Sequence, residues 1–74
     1  MIEVTKLNDE KVTINADLIE VIEEIPDTMI TLTTGKKLFV KESRQRVENL
    51  VILYKQNVFR QILAVPNVGS TSNV

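Results

Sequence analysis

The chain predicts an α+β domain, a small antiparallel β-meander of about five strands followed by one long C-terminal α-helix. Three observations carry that expectation. Apolar and polar residues alternate in short runs as far as Val40, turn-forming residues separate those runs, and after Ser43 the apolar spacing changes to that of a helix.

Ile2 and Val4 alternate with Glu3 and Thr5, as in a strand with one buried face, and Asn8-Asp9-Glu10-Lys11 supplies turn chemistry before Val12 and Ile14 resume the alternation. A first hairpin is expected there. Asn15-Ala16-Asp17 forms a polar corner. The segment Leu18 to Ile25 reads two ways, since Leu18, Ile22 and Ile25 also fit helical spacing behind an Asp17 cap. Four of its five apolar residues are β-branched and Pro26-Asp27-Thr28 ends it after about eight residues, so a strand is expected.

Ile30 and Leu32 alternate with Thr31 and Thr33, Thr34-Gly35 makes a tight reversal, and Leu38 and Val40 return on the other side. This is the clearest hairpin in the chain. Ser43 can cap a helix, and apolar residues then recur at Val47, Leu50, Val51, Tyr54, Val58 and Ile62, which predicts a helix from about Arg44 to Leu63. Pro66 cannot extend it, and residues 66–74 carry too little apolar surface to order themselves. One domain over residues 1–65 with a disordered tail at 66–74 is the expectation.

The run Leu50-Val51-Ile52-Leu53-Tyr54 makes this helix apolar on more than one face, which implies burial on more than one side. Twenty helical residues span about 30 Å, whereas a strand of five or six spans about 17–20 Å. The last turns therefore overhang the sheet. Tyr54 shares a stripe with Val47 and Val51 and is expected in the core, whereas Leu53, Phe59 and Leu63 fall off that stripe. Leu53, Val58, Phe59, Ile62 and Leu63 are accordingly the expected contact with a second copy or a partner. Self-assembly suits a chain of 74 residues with no cysteine or histidine, because neither disulfides nor zinc can reinforce its small core.

The chemistry of catalysis is thin. Without histidine or cysteine the chain lacks the side chains most used as general base, thiolate nucleophile or zinc ligand near neutral pH, so no enzyme activity, cofactor or metal is expected. Glu20, Glu23, Glu24 and Asp27 form an acidic cluster without the spacing of a calcium loop, better suited to facing a protein partner or water. Lys36, Lys37, Lys41, Arg44 and Arg46 form a basic group beside the helix start, where the dipole disfavours cations, so an acidic partner or the acidic strand is expected to compensate.

A net charge of −1 and the scarcity of strand aromatics, Phe39 alone, disfavour nucleic acid, although a small oligomeric RNA-binding regulator is the alternative reading. Met1-Ile2-Glu3-Val4 does not open like a signal peptide, and no apolar run reaches the roughly 18 residues of a membrane span. A cytoplasmic protein without stable membrane insertion is expected.

Met1-Ile2-Glu3-Val4-Thr5-Lys6-Leu7-Asn8, Asp17-Leu18-Ile19-Glu20-x-Ile22-Glu23, Pro26-Asp27-Thr28-x-Ile30-Thr31-Leu32, Gly35-Lys36 and Val40-x-Glu42-Ser43 stand in the order and spacing of a known pattern. Over about residues 1–55 the chain resembles the small FlbD (SwrD-like) family of flagellar proteins. The resemblance implies a non-enzymatic motility protein that supports the power of the flagellar motor, through its stator units, by protein contact. It brings no catalytic residues with it. Asp9 stands where that pattern often has glycine, Ala16 where it often has proline, and the helix here runs further than in shorter members.

Overall fold

In the computed structural model, which describes residues 1–64, five strands precede one helix. Strands β1 (Ile2–Thr5) and β2 (Lys11–Ile14) pair antiparallel as a hairpin; β3 (Ile19–Glu24), β4 (Thr28–Leu32) and β5 (Lys37–Val40) form an antiparallel three-stranded sheet. Helix α1 runs Arg44–Ala64. The expected residues 66–74 tail lies outside the described residues.

Both hairpins close with the same local geometry. In the first, the Asp9 amide donates to Lys6 O at 2.9 Å and the Lys6 amide to Glu10 O at 2.8 Å. In the second, the Gly35 amide donates to Leu32 O and the Leu32 amide to Lys36 O, both at 2.8 Å. Each is a three-residue loop whose last residue takes the left-handed conformation, Asp9 at φ 71° and Gly35 at φ 91°. Asp9 thus occupies the position for which glycine is the unstrained residue, and Asn8 Oδ1 supports that turn by accepting from the Glu10 amide at 3.0 Å.

The polar corner Asn15-Ala16-Asp17 becomes a short 3₁₀ turn, Ala16–Leu18, with Asn15 Oδ1 accepting from the Asp17 amide at 3.0 Å. Leu18 therefore lies in the turn and β3 starts at Ile19. Between Ile19 and Val21 the pairing with β4 slips by one residue, leaving Glu20 as a bulge. The bulge places Ile19 and Ile22, three apart in sequence, on the same core-facing side. Of the residues at helical spacing, Leu18 falls in the turn and Ile25 is exposed beyond the strand, so only Ile22 packs on the core.

The two sheets meet edge to edge. Lys6 bridges to Val40, the Lys41 amide donates to Thr5 O at 2.7 Å, and the chain's first strand thereby lies beside its last. The core sits under that junction, where Val4, Ile30, Val40 and Val47 are the largest fully buried side chains. Ile2, Ile14, Ala16 and Leu32 complete it, and Leu50, Val51 and Tyr54 of α1 pack against it.

The helix start is fixed three ways. Ser43 Oγ accepts from the Arg46 amide at 3.1 Å, Ser43 O from the Val47 amide at 3.0 Å, and Glu24 Oε1 of β3 from the Arg44 amide at 2.9 Å. With 21 residues α1 spans about 31 Å, whereas the longest strand, of six residues, spans about 20 Å. Only the first three turns reach the sheet, and every side chain from Lys55 to Leu63 is exposed.

Candidate functional site

The helix repeats every 3.6 residues, so residues three, four and seven apart share a face. Val47, Leu50, Val51 and Tyr54 form the face turned to the core. Val58 continues that stripe beyond the sheet, and Ile52, Phe59, Ile62 and Leu63 lie on the adjoining arc. Phe59, Ile62 and Leu63 are 60%, 64% and 68% exposed.

That arc borders two neighbouring hollows. A trough of about 360 Å³ runs between Ala16, Ile19 and Ile22 on the sheet side and Glu48, Val51, Ile52 and Lys55 on the helix. A second, of about 210 Å³, is lined by Tyr54, Lys55, Val58, Phe59 and Ile62, with Asp17 at its rim. Lys55 lines both. The lining is aliphatic and aromatic apart from Lys55 and the rim carboxylates Glu48 and Asp17, which suits an apolar protein surface.

Of the five helix residues expected to face a partner, the structure brings Val58, Phe59 and Ile62 around one hollow and leaves Leu63 beside them. Leu53, half exposed, stands about 180° around the helix axis from Ile62, on the side of α1 away from that hollow. Ile52 joins the set from the trough side. Its signal was present in the sequence, since Ile52, Phe59 and Ile62 fall at heptad-compatible spacing.

The acidic cluster divides. Glu24 turns to the helix, where its carboxylate meets an unsatisfied amide and the positive end of the dipole. This is the compensation for the basic helix start that the charge pattern called for. Glu20 is the exposed bulge, while Glu23 and Asp27 share a shallow hollow of about 230 Å³ with Ile25, Met29 and Phe39 on the outer face. The basic group divides as well: Lys41 pairs with Asp9, and Arg44 with Glu48 at 3.6 Å. Lys36 and Lys37 instead line a hollow between the two hairpin tips with Lys6, Leu7 and Phe39.

Glu42 is a residue whose part the sequence did not disclose. Its carboxylate accepts from the Thr5 amide at 2.8 and 3.1 Å and from Thr5 Oγ1 at 2.8 Å. Burial alone would raise its pKa, yet the Thr5 amide and hydroxyl, its own backbone amide and the charge of Lys11 together outweigh burial and hold it below its ordinary value. The contact joins the end of β1 to the segment that enters the helix.

Among the described residues there is no group of three or more histidine, cysteine or acidic side chains arranged to hold a metal, and no helix long and apolar enough to cross a membrane. No curated protein and no solved structure matches the chain. A family model described as FlbD, flagellar and swarming motility proteins, matches residues 1–59, about four fifths of the chain and everything from β1 to the fourth turn of α1. The chain therefore belongs to the FlbD family of flagellar and swarming motility proteins.

Proposed function

We propose that this protein supports the output of the flagellar motor by stoichiometric contact, as a self-assembling cytoplasmic adaptor that acts on the stator units and catalyses no reaction. The observation that carries the reading is the exposed apolar arc at the end of α1, with the two hollows beside it. A patch of this kind on a small domain is suited to protein contact. Assembly through the arc leaves the outer sheet face, with Glu23, Asp27, Met29 and Phe39, free for the motor.

The test is complementation of a motile strain deleted for the gene, scored by swimming speed under viscous load and by flagellar number, with crosslinking and capture from the same cells. Wild type restores speed at unchanged flagellar number and brings a stator component with it. Phe59→Asp with Leu63→Asp restores neither. Capture of ribosomal or messenger-RNA-associated material alone overturns the reading in favour of an RNA-binding regulator.

A further inference from the structure

The spacing Ile52-x-x-Lys55-x-x-x-Phe59-x-x-Ile62 alternates steps of three and four, which is the seam of a two-helix coiled coil. Its positions are exposed and stand clear of the protomer's own core. We propose that this seam pairs antiparallel with the same seam of a second copy, Ile52 of each against Ile62 of the other and Lys55 of each against Phe59 of the other. The proposal rests on the self-assembly part of the function proposed above and adds the face, the partner residues and the orientation.

Three features select this arrangement. First, antiparallel pairing in this register is two-fold symmetric, so each copy offers what the other lacks: the Ile62 and Leu63 end projects, and the trough between Ile22 and Ile52 receives it. Second, the seam holds one charge, Lys55, which has no ion pair among the described residues. A parallel pair would set Lys55 against Lys55, whereas the antiparallel pair lays its stem along Phe59 of the other copy and its ammonium near the ring face. Third, the size is sufficient. Ile52, Phe59, Ile62 and Leu63, each more than half exposed, leave on the order of 100 Å² apiece uncovered, and with the trough floor two copies bury about 1,000 Å², the size at which a specific interface begins.

The chain has no cysteine, so an engineered one is a unique reporter. Positions 52 and 62 of one helix are about 15 Å apart, beyond disulfide reach of about 7 Å between Cα atoms. In the antiparallel pair, each position 52 is likewise about 15 Å from position 52 of the other copy. The experiment measures the solution mass of the full chain, then disulfide formation under a mild oxidant for Ile52→Cys alone, Ile62→Cys alone and an equimolar mixture.

The expected results are a mass about twice 8.4 kDa and a covalent dimer in the mixture at least tenfold above either variant alone. Phe59→Glu, an exposed position whose change spares the fold as read by circular dichroism, reduces the mass to one copy. A monomeric wild type overturns this inference together with the assembly part of the proposed function. A dimer in which Ile52→Cys crosslinks by itself overturns the antiparallel register alone, and the motility assay is decided independently of either.

Discussion

Replacing Glu42 by glutamine tests how the two sheets are held together at the helix entrance. The wild-type carboxylate accepts three hydrogen bonds from Thr5, at 2.8, 3.1 and 2.8 Å. Hydrogen bonds to a charged group contribute about 1.5–3 kcal/mol; partial exposure reduces this, and the glutamine oxygen retains one acceptor, so Glu42→Gln should cost about 1 kcal/mol at pH 7. A 74-residue domain has a total stability of roughly 4–11 kcal/mol, so the loss is measurable by urea unfolding.

The sign of the pH dependence follows from the lowered pKa of Glu42 in the folded protein. The extra stability is fully present above the unfolded-state pKa and disappears as the pH falls through the lower folded-state value. Wild type and Glu42→Gln should therefore differ at pH 7 and converge in acid, once the pH has fallen below the lowered folded-state pKa of Glu42, with unchanged urea slopes. Other carboxylates titrate in both proteins and cancel in the difference. A gap that is zero at pH 7, or that persists undiminished in acid, would refute the role assigned to this carboxylate.

Gly35→Ala meets no atom within 4 Å, so its cost is purely that of φ +91°, about 1–2 kcal/mol, and thermal unfolding should report it. Asp9→Gly relieves the same strain in the first hairpin but loses the Lys41 ion pair; the two effects are each about 1 kcal/mol or less, so stability should stay within about 0.5 kcal/mol of wild type. Glu24→Gln weakens the anion at the helix start and should cost about 0.5–1 kcal/mol at low salt, with faster hydrogen exchange at the Arg44 amide; unchanged exchange there would count against the contact.

Strand alternation made β1, β2, β4 and β5 legible, and the Thr34-Gly35 reversal made the second hairpin plain, because each depends on neighbours within a few residues. The helix was legible for the same reason, from Ser43 through the spacing of Val47, Leu50, Val51 and Tyr54. The bulge at Glu20 was not, since a slip of one residue is set by how β3 registers against β4 rather than by the residues of β3 alone. The closure of β1 on β5 and the Thr5–Glu42 contact were also hidden, for they join residues 34 to 37 apart and have no local spacing. At the candidate site the apolar surplus was readable from length and composition. The face it occupies required the axis of the helix relative to the sheet, which is why Ile52 was passed over.

The helix is gripped at one end only: Ser43, Glu24 and the Glu42 contact clamp its first turn, and Val47 anchors the next. Such a clamp makes α1 a lever. A bend of about 10° where the helix leaves the core at Tyr54 moves the far tip, about 15 Å further on, by about 3 Å. Modest changes there would therefore be magnified in where the tip points. Substitutions remote from the tip could redirect it while leaving its own residues untouched.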